Sequence, residues 1–483
     1  MKRIFIILPV ISMTMLNSCS QRETADLIII NGKVFTVDAS NPSAEAVAVK
    51  GEKIIDVGNS SRIRKLYSGE KTVVIDAGGR LVIPGFNDAH IHFGPLDPDY
   101  IELRYISDPS VITSKVAAQV AKSKPGQVIR GGHWDHEMFT DRQWPAKELI
   151  DKVSPDNPVI LSRADGHSVL VNSYVLKKSG ITKNTPDPPG GEIQRDPVTG
   201  EPTGILKDNA ENLIKTGDVK TVLTPEEMRE KTRQGYLLAL REAAEYGVTS
   251  VQVPGYADFN AYTKLKEEGL LTCRIDIGQP LTGDTVKLKS YLEQAGKYPR
   301  ESDWIRFGYL KAFIDGSMGS GTALMFEPYS DEPGTSGLAM WPTDVFEDMV
   351  LKADKLGFQI GVHAIGDKAN FIVLNAFEKA LQSNGRRESR HRIEHAQTLQ
   401  QSDIPRFARL GVIASMQPSH CSTDKNFYEK RVGPERSKGA YVWRSLLDNG
   451  AILAFGTDYQ VEPINPVEGL YAAVTRKNKQ GEE

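Results

Sequence analysis

The sequence predicts an α/β protein built on a (β/α)8 TIM-type barrel, with a small N-terminal β-sandwich unit ahead of it and an α+β insertion after the first barrel strand. Three observations predict this. The chain has 483 residues, too many for one ordinary domain but suited to a barrel with attachments. Eight short apolar runs recur from "LVIPGFNDAHIH" to "ILAFGTD". Helical stretches separate most of them, the alternation expected of a parallel barrel.

The first element lies outside any fold. Lys2 and Arg3 precede the apolar stretch "IFIILPVISMTML", which is too short to span a bilayer, and "LNSCS" follows. Leu16 and Ser18 stand before Cys19 as in a bacterial lipoprotein processing site. The expectation is a signal peptide over 1–19, lipidation of Cys19, and a mature protein held on the membrane surface of the cell envelope by acyl chains. A plain secretory signal cleaved elsewhere is the alternative. Residues 23–83 read as the N-terminal β unit: "DLIIINGKVFTVD", "AEAVAVKGEKIIDVG" and "KTVVIDAGGRLVIPG" are β-rich runs broken at Asn-Gly, Lys-Gly and Gly-Gly turns.

Residues 84–475 read as the barrel, with 95–220 inserted between its first two strands. The insertion carries "QVIRGGHWD", "PVILSRADGHSVLVNS" and a turn-rich hairpin at "PDPPGGEIQRDPVTGEPTG". An insertion there sits at the C-terminal face, where barrels build their sites, so it is expected to cover the substrate. "TPEEMREKTRQGYLLALREAAEYG" then carries a full helix signature, with Thr224 as N-cap, Pro225 at N1, Glu227 at N3 and Gly247 past the end. The remaining runs are "VTSVQV", "CRIDIG", "IRFGYLKAFID", "FQIGVHAIG", "HRIEHA" and "VIASMQP", with helical stretches such as "VFEDMVLKADKLG" and "IPRFARLG" between them.

A formal net charge of −3 gives no reason to expect a nucleic-acid partner, which leaves a small molecule as the expected ligand. Cys273 and Cys421 are the cysteines left after Cys19, and read as buried, inert thiols. The residues that could carry chemistry stand near strand ends. Strand alternation would put His90 and His92 on one face, about 7 Å apart, where both imidazoles reach one cation. His363, His395 and Asp458 each follow an apolar run and precede a loop. Lys311 sits amid apolar residues, where an unpaired ammonium is costly. A carbamate formed from its amine and CO2 would be an anionic ligand able to bridge two cations.

"PGFNDAHIH", "GHWD", "SRADGHSVLVNS", "LKAFIDGSMGS", "VHAIGD", "HRIEHAQ", "ASMQPSH" and "FGTDYQVEP" resemble, in order, the amidohydrolase superfamily, and more closely its amidohydrolase-3 branch with the N-substituted formamide deformylase-like enzymes. The resemblance runs from about residue 26 to 475. It implies two divalent ions, with zinc fitting the His-rich ligand set. His90, His92 and Asp458 would hold one, and His363 and His395 the other, bridged by carboxylated Lys311. It further implies hydrolysis of a C–N bond other than a peptide bond, in an N-acyl or N-formyl amide, by a metal-bound hydroxide whose proton Asp458 takes and passes to the leaving amine. Deaminases of the superfamily use a Glu after the fifth-strand His, where this chain offers Asp367. An ester or lactone hydrolase, or an inactive barrel that only binds, are the alternatives. His133, Trp134, Arg163, Asp165, His167, Asp315 and Gly316 are candidates to line the substrate pocket, with Arg163 able to grip a carboxylate. His136, His391 and His420 read as structural or surface residues. A homo-oligomer is left open.

The resemblance also implies a longer C-terminal region than the tail at 476–483. A chain ending at Glu483 is expected to leave sheet edges in the N-terminal unit unpaired and part of the barrel wall open.

Overall fold

The computed structural model describes residues 23–215, 224–255, 257–478 and 481. The expected signal peptide and Cys19 therefore lie outside the described residues. No described helix is long and apolar enough to cross a membrane. The chain divides after Gly85 into two compact units.

The first unit holds two small sheets. One has four strands in the order Lys53–Gly58, Ala46–Lys50, Leu27–Ile30 and Val73–Asp76; the other has three, Ser43–Ala44, Lys33–Phe35 and Leu81–Val82. Ile28, Ile30, Ala46 and Ala48 alternate inward from the larger sheet onto Ile63. Ile63 belongs to a helix, Ser60–Tyr67, where the sequence was read as strands alone. Its signal was local: the Asn59 side chain caps the helix by accepting from the Arg62 backbone N–H at 2.8 Å.

The second unit is the barrel. Its strands, in sheet order and in chain order, are Phe86–Asp88, Val248–Val253, Arg274–Pro280, Ile305–Phe313, Ile360–Ala364, Arg392–His395, Ile413–Met416 and Ile452–Phe455, and every neighbouring pair is parallel. All eight apolar runs of the sequence supply these strands. Parallel strands covered on both faces read as continuous apolar stretches. Ile275, Ile277, Val362 and Ile393 share one core with Leu240, Leu288, Phe346, Val373 and Phe407 from the surrounding helices. Full burial of each such side chain contributes about 1.5–3 kcal/mol. The helix Pro225–Glu245 begins with the capping box that the sequence announces: Thr224 Oγ1 accepts from Glu227 N at 3.2 Å, and Glu227 Oε2 accepts from Thr224 N at 2.7 Å.

The first and eighth strands are the two ends of the sheet and are not paired with each other, but hydrogen bonds just beyond their ends link them. Ala89 N donates to Phe455 O at 3.1 Å, Asp458 N donates to His90 O at 2.8 Å, and Asp88 Oδ2 accepts from Thr457 Oγ1 at 2.6 Å. Gly456 permits this approach, since a Cβ there would lie 2.5 Å from His90 N and 2.7 Å from His90 O. The outer side of the eighth strand remains uncovered at Ile452, which is 61% exposed.

Between the first and second barrel strands stands a six-stranded sheet, in the order Gly191–Arg195, Pro202–Asp208, Ser168–Val171, Val159–Arg163, Ile129–Trp134 and Ile101–Glu102. Both faces are buried. Leu161, Leu170 and Ile205 pack into one core, while Ile160, Val169 and Leu206, one residue out of phase, pack into another.

Below the sixth strand, His391 Nδ1 accepts from Ile360 N at 3.1 Å and its Nε2 meets Asp354 Oδ1 at 3.0 Å, fixing the tautomer. Burial alone raises the Asp354 carboxyl. His391, Asn384 and Arg387 outweigh that and bring it down to about 2. A depressed folded-state carboxyl contributes stability that is full above the unfolded value of about 3.9 and is lost as pH falls through the folded value. Unfolding free energies measured in urea are therefore expected to fall between about pH 4 and pH 2, with a shallower slope in Asp354→Asn.

Candidate metal centre and substrate cavity

The ends of the barrel strands and the inserted sheet enclose a cavity of about 1420 Å³. On its floor lie His92, Lys311, His363, His395 and Asp458, with His90 directly beneath. The structure thus brings together all the metal-ligand candidates read from the sequence.

One detail of that reading needs correction. The first strand ends at Asp88, so His90 and His92 lie beyond it rather than on one face of it. Asp88 turns the chain there, its Oδ1 accepting from His90 N at 3.1 Å and from Thr457 N at 3.1 Å. The two imidazoles meet edge-on at 5.6 Å between centroids. His90 Nε2 lies 3.4 Å, and His92 Nε2 3.1 Å, from Asp458 Oδ1.

His395 and Asp458 reach inward through left-handed backbone, with φ of 72° and 57°. Neither is glycine, so each position costs about 1–3 kcal/mol of strain that the surrounding structure offsets. Lys311, on the fourth strand, is 4% exposed; its Nζ has no hydrogen-bond partner and stands 4.4 Å from the Phe313 ring centroid. His363 Nε2 donates to Gly316 O at 3.0 Å, which leaves Nδ1 as its available ligand atom.

The electrostatics suit cation binding. Burial brings the His90 imidazole down to about 4 and holds His363 and His395 well below the ordinary range, so all three are neutral at pH 7. Burial raises the Asp458 carboxyl, but His90, His92 and His395 outweigh it and hold the group well below the usual range. Neutral imidazoles beside an ionised carboxylate are the protonation states that a divalent metal needs.

Beneath this floor lies a network that sequence reasoning missed. His90 Nδ1 meets Glu394 Oε2 at 2.6 Å, which turns Nε2 toward the cavity side. Arg392 reaches the same carboxylate at 3.0 Å, donates to Ser415 Oγ at 2.7 Å, and also binds Gln252 and the Ala89 carbonyl. Its guanidinium stands 4.6 Å from the Tyr309 ring centroid. Burial raises the Glu394 carboxyl, yet Arg392 and His90 hold it far below normal. Replacing Glu394 by Gln is expected to weaken metal binding about 10–100-fold in equilibrium titration, the usual size of an outer-shell effect.

The substrate-pocket candidates divide. His133, Arg163, Asp165 and His167 line the cavity. Arg163, however, is only 2% exposed and already committed, to Asp165 at 2.6 Å and to Asp135, so it holds loops together rather than gripping a substrate carboxylate. Trp134 points into the core of the inserted sheet, fully buried, with Nε1 donating to Leu161 O at 2.8 Å. Asp315 and Gly316 stand behind His363. The Asp315 carboxylate accepts from Leu324, Ile365 and Gly366 N–H groups at 2.8–3.1 Å, and burial pushes it up to about 7. His133 Nδ1 meets Glu102 Oε2 at 2.8 Å. His167 Nδ1 meets Asp208 Oδ1 at 2.6 Å; burial lowers this imidazole, and Asp208 outweighs that to bring it up to about 9.

A family model described as the amidohydrolase family matches residues 73–483. The chain belongs to the amidohydrolase family. Protein LONG AFTER FAR-RED 3 of Arabidopsis thaliana is 37% identical over 467 residues, covering 94% of this amidohydrolase and 78% of the plant protein. N-substituted formamide deformylase of Arthrobacter pascens is 28% identical, covering 94% of this chain and 84% of that enzyme. Among solved structures, an uncharacterized metal-dependent hydrolase from Pyrococcus horikoshii superposes with a TM-score of 0.71 at 27% identity, over 95% of this chain and 87% of that one. The family implies a divalent metal, and the donor set around Asp458 fits one: His90 Nε2, His395 Nδ1 and Asp458 Oδ1 are buried with no hydrogen-bond partner among the described residues. This amidohydrolase is a metal-dependent hydrolase.

Proposed function

We propose that the chain hydrolyses a C–N bond other than a peptide bond, in a small N-acyl or N-formyl amide, at a centre of two zinc ions bridged by carboxylated Lys311. The observation that carries the reading is Lys311 itself, a buried amine without a partner beside unpartnered ligand atoms. Burial brings its amine down to about 8, so an appreciable neutral fraction exists near pH 7. Only the neutral amine adds to CO2, and the carbamate replaces an unpaired cation by an anionic oxygen ligand. His90, His92 and Asp458 would hold one ion, and His363 and His395 the other.

When bound, the ions supply Lewis acidity at the carbonyl and an activated water. The chain's own groups supply the rest. Asp458, kept ionised by the three imidazoles, takes the proton of the attacking water and returns it to the departing nitrogen. Glu394 keeps His90 in one tautomer. His167, kept cationic by Asp208, and His133 line the wall as polar contacts, while Phe313, Met318, Phe427 and Val461 offer apolar surface to a bulky substituent. The relationship to the formamide deformylase supports the substrate class.

The test is a panel of N-formyl and N-acyl amides with matched esters, given to zinc-supplied protein with and without a chelator. Amide turnover that the chelator abolishes and zinc restores is expected. Turnover of esters alone would overturn the C–N reading. For the envelope location, the support is the sequence "LNSCS"; labelling by a fatty acid, lost in Cys19→Ala, is the expected outcome, and unlabelled wild-type protein the contrary one.

A further inference from the structure

His420, read from the sequence as a structural or surface residue, lies on the cavity floor. It belongs to the helix Pro418–Thr423, just after the seventh strand. Its ring is nearly parallel to that of His395, at 6.0 Å between centroids and 13° between planes. Its Nε2 is buried and has no hydrogen-bond partner among the described residues. That nitrogen stands 3.7 Å from Asp458 Oδ2, and His395 Nδ1 stands 4.0 Å from the same oxygen. The ligand atoms of His395, His420 and Asp458 all fall within 4.8 Å of one another.

Asp458 therefore faces two donor sets, one per oxygen: His90 and His92 converge on Oδ1, His395 and His420 on Oδ2. Donor atoms at about 2.0–2.2 Å around a tetrahedral zinc stand roughly 3.3–3.6 Å apart, so the two distances to Asp458 Oδ2, 3.7 and 4.0 Å, are close to those of a shared ion. A parallel pair of imidazoles with bare nitrogens beside one carboxylate oxygen has no hydrogen-bonding explanation, because each nitrogen is left unpaired. His363, by contrast, is in neither group of mutually close donors, and its Nε2 is bound to Gly316 O.

We infer that His420 is a ligand of the second cation, alongside His395 and Asp458. The inference rests on the two-cation reading above and adds a residue to it.

The test is equilibrium titration of metal-free, full-length protein with Co(II), followed by its visible absorption. Wild type is expected to bind two ions. His420→Ala and His420→Asn are expected to keep one site at wild-type affinity and to lose about 100-fold or more at the other, beyond the usual outer-shell effect, with the matching part of the Co(II) spectrum lost. The melting of the metal-free forms checks that each variant folds, and the Asn variant serves if the Ala variant does not. Two ions in wild type, with unchanged affinities and spectrum in the variants, would overturn the role of His420 alone. Fewer than two ions in wild type would overturn the two-cation reading, and this inference with it.

Discussion

Replacing Lys311 by alanine is expected to remove one bound cation per chain and to lower amide turnover about a thousandfold. The size follows from the several kcal/mol of charge stabilisation that a metal ion supplies, at about 1.4 kcal/mol per tenfold in rate. The same substitution is expected to leave the metal-free fold intact. Lys311 Nζ makes no hydrogen bond that could be lost, and removing a buried, unpaired amine relieves a desolvation cost. A metal-free melting temperature at or above wild type, together with one ion fewer and lost turnover, separates a ligand from a packing residue. Two ions and full activity in Lys311→Ala would end the carbamate role.

Arg392→Ala is expected to have the largest effect on stability, about 3–5 kcal/mol, because it leaves the fully buried Glu394 without its counter-charge. It also strips partners from Gln252, Ala89 O and Ser415 at once. The loss should be smaller in the double variant Arg392→Met with Glu394→Gln, since removing both charges avoids an uncompensated one. Urea unfolding of the metal-free proteins measures both values. Equal losses in the single and double variants would mean that packing around the guanidinium, rather than charge, sets the cost.

The barrel was legible because its central strands are buried on both faces and so read as apolar runs, and because Thr224, Pro225 and Glu227 announce a helix by side-chain chemistry alone. The ligand candidates were legible for a related reason. A histidine, lysine or aspartate at the end of an apolar run has few structural uses, and five such runs end at one face of the barrel. What failed to show was pairing at long range. Nothing near His90 in the chain indicates that Glu394 holds its Nδ1, since the two meet only when the first strand lies across the barrel from the sixth. "HRIEHA" did carry a sign, because two charges inside a buried strand require partners. Trp134 and Arg163 were placed on the pocket wall by their neighbours in sequence. A bulge at His133, whose φ is 67°, turns Trp134 into the same inserted core as Ile129, against simple alternation, and Asp135 and Asp165 claim Arg163. His420 follows a strand and a proline, on a short helix whose direction only the folded chain defines, so its turn toward the cavity is not legible in the sequence.

The number of metal ions that the folded chain holds separates a hydrolytic centre from a barrel that only binds. Elemental analysis of protein purified with zinc supplied, and dialysed free of loose metal, measures it directly. The structure's unpartnered donors around Asp458 predict about two zinc ions per chain. A single ion per chain would contradict the two-cation centre, and fewer than one would leave a barrel that only binds.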